Sequence, residues 1–169
     1  MKVLFLHLSD MHFVSDSSYT KKDCEEIANA VAAKIICPIS MIFLVLSGDI
    51  AFSGGAEEYN EAEKFVGELQ ASILGKVKID KEKIKVLLVP GNHDRQYPED
   101  RPDREDYESV LSRRKDEELK TYIDREFSMQ KNFFEFLKRE ECPYGESEKF
   151  LQRKVIEHEG FSFEFNLLN

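Results

Sequence analysis

Three apolar runs constrain this chain more than any other feature: "KVLFLHLS" at 2–9, "ISMIFLVLS" at 39–47 and "IKVLLV" at 84–89. Each is β-branched and aliphatic, and each reads as a strand. Between them lie two stretches of helical character. "TKKDCEEIANAVAAKIIC" opens with Thr20 and Asp23 placed as a capping box, and "AEEYNEAEKFVGELQASILG" repeats Tyr59, Ala62, Phe65, Val66 and Leu69 at helical spacing. Strand, helix, strand, helix, strand is the pattern of right-handed crossovers feeding a parallel sheet. Its strands stay apolar along their length because both faces are covered. The expected class is α/β, with a βαβαβ start.

In such a sheet, ligands bind beyond the carboxyl ends of the strands. The residues there are "SDMH" (9–12), "SGDIAFSGG" (47–55) and "PGNHD" (90–94), so Asp10, His12, Asp49, Asn92, His93 and Asp94 converge on one edge. Side chains of this kind cost free energy if buried without partners, and three such sets at consecutive strand ends point to a site. Carboxylates, imidazoles and an amide oxygen are ligands for Mn²⁺, Fe²⁺ or Zn²⁺. Asp10 and His12, two apart on an extended segment, point to one side. A carboxylate at Asp49 can bridge two ions, and a pair roughly 3.5–4 Å apart clamps both ends of an in-line displacement at phosphorus. Gly48 admits backbone close to this centre.

Charge and cysteine content narrow the partners. The 169 residues carry a formal charge of −9, which argues against a broad basic footprint for nucleic acid. Cys24, Cys37 and Cys142 lack metal-type spacing, no signal peptide opens the chain, and no apolar stretch reaches the length of a membrane span. These features fit a cytoplasmic protein with free thiols and no membrane contact. Cys24 and Cys37, taken as part of the first helix, read as small apolar core residues.

"DMH", "GD" and "GNHD", each after an apolar strand and in this order, resemble the first three motifs of the calcineurin-like metallophosphoesterase superfamily. "LSGDIAFSGGAEEY" is especially similar to its bacterial phosphodiesterase-type members. The likeness covers residues 1–94 and fades beyond them. It implies a four-layer αββα fold and a centre of two divalent ions, Mn²⁺ favoured over Fe²⁺ or Zn²⁺, that hydrolyses phosphomonoesters or phosphodiesters, nucleotides among the candidate substrates. Carried over, Asp10 and His12 would bind the first ion, Asp49 would bridge both and Asn92 would bind the second. His93 would act at the phosphate, stabilising charge or protonating the leaving oxygen. Asp94 would orient His93 by accepting its other N–H.

The family's closing Gly-His and Gly-His-x-His do not occur here, so residues 1–169 read as the N-terminal portion of one domain, truncated before the second sheet is complete. On this reading the isolated chain is poorly active or inactive. The alternative is a catalytically incomplete sensor or interaction module of a larger assembly. A nuclease would need a basic groove that the chain does not show. A sheet face left bare would be a large apolar patch, so self-association or residues 121–168 folded over it should cover it, and downstream domains are candidate partners. His7, inside the first strand, reads as a hydrogen-bonded core residue and His158 as a solvated turn or helix end. Ser53, Gly54 and Gly55 read as a turn into a helix rather than a phosphate cradle.

Residues 95–141 carry Pro98 and Pro102, then mixed charge, then an apolar stripe of Tyr122, Phe127, Phe133, Phe134 and Leu137. They read as a charged helical insert. The competing reading is a substrate lid, with Arg95, Arg101 and Arg104 as phosphate contacts.

Overall fold

A computed structural model describes residues 1–16, 19–97, 116–140 and 151–168. Pro98, Pro102, Arg101, Arg104 and Cys142 lie outside the described residues, as does the side chain of Tyr122. The three apolar runs form β1 (Val3–Ser9), β2 (Met41–Ser47) and β3 (Ile84–Val89), parallel and in the order β1-β2-β3. Register is set along the apolar runs, with Leu4 beside Ile42 and Leu46 beside Leu88.

The crossovers are α1 (Lys21–Lys34) and α2 (Ala56–Lys76). Helix α1 starts at the expected capping box, in which the Thr20 hydroxyl accepts from the Asp23 N–H and the Asp23 carboxylate accepts from the Thr20 N–H. It ends at Lys34, so Cys37 lies beyond the helix, half-buried, with the Lys2 ammonium 3.0 Å from its sulfur. Pro38 follows at once, and the residue before a proline is disfavoured in helical conformation. Cys24 is a buried core residue as expected, and burial pushes its thiol up to about 11, which makes it a poor nucleophile.

Two further helices, α3 (Asp116–Met129) and α4 (Lys131–Arg139), return the chain to the helical side. Phe133, Phe136 and Leu137 of α4 enter the same core as Tyr59, Ala62, Phe65, Val66 and Leu69 of α2. Phe136 stacks on Tyr59 at 5.4 Å, and Arg139 pairs with Glu63 at 3.1 Å. The described part of the insert is thus built into the core.

The other sheet face carries Met41, Phe43, Val45, Leu87 and Val89, and a hairpin of β4 (Leu151–His158) and β5 (Phe161–Leu168) lies across it. Phe163 and Phe165 meet the Phe43 ring at 5.1 and 4.8 Å, while Ile156 and Leu167 are buried against the same face. Residues of the 121–168 segment therefore cover the face that would otherwise be bare. The layers are helices, a three-stranded parallel sheet and a two-stranded antiparallel sheet, an α/β arrangement consistent with part of the four-layer fold. Among the described residues, the outward side of the hairpin, with Leu151, Val155 and Leu168, is exposed.

One strand is new, and two further expectations change. Strand β4 is not among the elements read from the sequence, yet Glu159 and Gly160 between the strands have φ of 49° and 78°, as a type I′ hairpin turn requires. His158 accordingly ends a strand beside that turn, with only 18 % of its side chain exposed. His7 is hydrogen-bonded, its Nε2 2.5 Å from the Ser47 hydroxyl, but it is exposed rather than buried. The reason is position: β1 is an edge strand, Leu4, Leu6 and Leu8 face the helices, and Phe5 and His7 point the other way.

Candidate metal centre

Beyond the strands the chain continues in near-register. The Asp10 N–H donates to the Gly48 carbonyl at 3.1 Å, His12 to Asp49 at 2.9 Å and Phe13 to Ile50 at 2.8 Å, and the Gly48 N–H reaches the Val89 carbonyl at 2.9 Å. This irregular extension brings the three strand-end loops together. It also bends them: Asp10, His12 and Asp49 have φ of 54°, 48° and 47°. The segment "SDMH" is therefore not extended at its polar residues, as the sequence reading had it. Left-handed backbone at non-glycine residues costs about 1–3 kcal/mol each and persists where the surroundings dictate it, most often at functional sites.

His12, Asp49 and His93 each offer a ligand atom, and these atoms lie within 4.8 Å of one another. The Asp49 carboxylate is divided between two tasks. Its Oδ1 accepts the His93 backbone N–H at 2.9 Å, and its Oδ2 faces His12 Nε2 at 4.0 Å. The imidazoles of His12 and His93 stand edge to face with centroids 4.8 Å apart. His12 Nδ1 is buried without a hydrogen-bond partner. Asp10, at the first strand end, stays outside the three-residue group among the described residues and is exposed, as is Asn92.

His93 Nδ1 lies 2.7 Å from the Phe52 carbonyl. A carbonyl only accepts, so the proton sits on Nδ1 and Nε2 carries the free lone pair. The expected hydrogen bond from His93 to Asp94 is absent because Asp94 is otherwise committed. Its carboxylate, 1 % exposed, accepts from the N–H groups of Ile50 at 3.0 Å, Ala51 at 2.8 Å and Gly91 at 2.8 Å, and from the Tyr59 hydroxyl at 2.9 Å. Asp94 staples the third strand-end loop to the second. Burial pushes its carboxyl above the ordinary range against the pull of those four bonds, and burial together with the Asp94 charge pushes the Tyr59 hydroxyl up as well.

Glycine allows the loops to close. A Cβ on Gly91 would collide with Asp49 Oδ1 and the Asp49 backbone nitrogen. The close approach belongs to Gly91 rather than Gly48, whose contribution is its φ of 73°. Ser53 and Gly55 form the expected turn into α2: Glu58 Oε2 takes the Ser53 N–H at 2.9 Å and the Gly55 N–H at 3.0 Å. Arg95, read as a phosphate contact under the lid hypothesis, pairs instead with Glu126 of α3 at 2.6 Å.

Sequence reasoning passed over Tyr59 as a member of the site, since helical spacing marks it only as core, and it also passed over Phe52. No helix among the described residues is long and apolar enough to cross a membrane.

The family model for calcineurin-like phosphoesterase matches residues 3–168, extending well past the last of the three motifs at Asp94. Neither a curated protein nor a solved structure matches the chain.

Proposed function

The chain belongs to the calcineurin-like phosphoesterase family, and on that premise we propose that it holds divalent metal at its strand-end loops and hydrolyses a phosphoester there. The observation that carries this reading is the His12, Asp49 and His93 group, brought together from three different loops. Two imidazoles and a carboxylate suit a divalent ion, and His12 Nδ1 is a buried polar atom still lacking a partner. Mn²⁺, Fe²⁺ and Zn²⁺ all match these nitrogen and oxygen donors, with Mn²⁺ the ion to test first. When bound, such an ion supplies charge to the phosphoryl oxygens and a nucleophile at neutral pH.

The chain's own groups divide the remaining work. Asp49 Oδ1 fixes the His93 backbone while Oδ2 is left for an ion, and we assign Asp10, His12, Asp49 and Asn92 as ligands of a two-ion centre. The Phe52 carbonyl holds the proton on His93 Nδ1 and so leaves the Nε2 lone pair to the site, where a proton that Nε2 takes up can pass to the leaving oxygen. Asp94 acts through the backbone it clamps. A second reading of His93, as a ligand, has one observation in its favour: its place within the 4.8 Å group.

Turnover of p-nitrophenyl phosphate and bis-p-nitrophenyl phosphate with Mn²⁺ tests the proposal. Asp49→Ala should abolish it. His93→Ala should lower turnover by ~10²–10⁴-fold with metal content intact if Nε2 is an acid, and should lose metal if it is a ligand. Metal uptake without turnover on either ester would fit an incomplete site, whether the N-terminal portion of a longer enzyme domain or the sensor or interaction module.

A further inference from the structure

Beside the imidazole pair lies a cavity of about 350 Å³ lined by Phe52, Ser53, Asn92, His93, Arg95 and Tyr97. That is near the low end of the roughly 300–1,000 Å³ usual for small-molecule pockets, enough for one organic group and too small for a folded partner. Phe52 is 53 % exposed, an unusual state for a large ring next to polar chemistry. Its position is imposed from both sides of the backbone. The Phe52 N–H donates to the Phe13 carbonyl at 3.0 Å and the Phe52 carbonyl receives His93 Nδ1, so the ring is held out of the core. It stands at centroid distances of 6.1 Å from His12 and 5.8 Å from His93. A group attached to a phosphate at those imidazoles is thus within reach of it.

The polar rim is also incompletely used. Arg95 is anchored by Glu126 through Nη1, but its buried Nε has no hydrogen-bond partner. A buried donor without an acceptor is costly, and the side chain that carries this one lines the cavity. Among the remaining lining residues, Tyr97 adds a second aromatic ring and Asn92 stands exposed at the rim.

We propose that this cavity is the subsite for the organic group of the phosphoester, and that it selects a flat aromatic ring with a hydrogen-bond acceptor at its edge, stacked on Phe52 with the acceptor toward Arg95. The proposal rests on the phosphoesterase reading of the adjacent centre. Aromatic faces favour stacked rings over saturated ones of similar size, and a stacked ring contributes on the order of tenfold in affinity.

Phosphonates are suitable probes because their carbon–phosphorus bond is not hydrolysed. Calorimetric titration of the full chain with Mn²⁺ present should rank phenylphosphonate above cyclohexylphosphonate and both above methylphosphonate. The phenyl preference, on the order of tenfold over methyl, should collapse in Phe52→Ala and shrink in Phe52→Leu, which keeps apolar bulk without a ring. Equal binding of all three phosphonates, or a phenyl preference that survives Phe52→Ala, would overturn the subsite while leaving the phosphoesterase reading standing. Absence of Mn²⁺-dependent binding of every phosphonate and of inorganic phosphate would overturn both.

Discussion

Asp94 shows how a single side chain can serve a site without facing it. Four donors converge on its carboxylate, three of them backbone N–H groups in two different loops. Removing the acceptor orphans buried donors, each costing about 1–3 kcal/mol. Asp94→Ala should therefore lose at least ~3 kcal/mol in urea unfolding, against about 1 kcal/mol for Tyr59→Phe, which removes one donor and leaves the carboxylate three. A loss below about 1 kcal/mol for Asp94→Ala would contradict the staple. The place of Asp94 among the strand-end loops was legible from "PGNHD"; its contacts were not. Whether a carboxylate turns to the adjacent imidazole or to backbone N–H groups forty residues away depends on loop conformation, and alternation along a strand carries no information about that.

At the level of elements, the sheet and the first two helices were legible because their signals are repetitive: three apolar runs, a capping box, and helical spacing from Tyr59 to Leu69. What could not be read was local. Strand β4 mixes charge with apolar residues because one side of the hairpin is exposed, and its turn is Glu-Gly rather than a stronger hairpin pair. The strand-end loops are where glycine matters most. Gly91→Ala should displace Asp49, lowering both stability and Mn²⁺ uptake, since the added Cβ meets the Asp49 backbone as well as its carboxylate. Gly67, within α2 and with open space where a Cβ would stand, is the contrast: Gly67→Ala should gain up to about 1 kcal/mol by helix propensity. Thermal melts with and without Mn²⁺ separate the two effects, and a Gly91→Ala protein with unchanged melting and metal response would refute the close approach.

Over the whole molecule, among the described residues, the parallel sheet is covered on its two faces by different means, helices on one and the β4–β5 hairpin on the other, with Phe5 and His7 of the edge strand β1 left exposed on the hairpin side. Phe43 is the hinge of that second interface, fully buried between Phe5, Phe163 and Phe165. Phe43→Ala should cost about 3–5 kcal/mol, the range for a large ring deleted from a core; a change under about 1 kcal/mol would mean the hairpin does not pack there. The same scaffold aligns three loops at the strand ends, and the central claim is that their convergence makes a metal site. The direct measurement is Mn²⁺ binding by calorimetry on the wild-type chain and on Asp49→Ala. Saturable uptake by the wild type, lost in Asp49→Ala while the variant remains folded, is the predicted result. No uptake by the wild type, or undiminished uptake by Asp49→Ala, would contradict it.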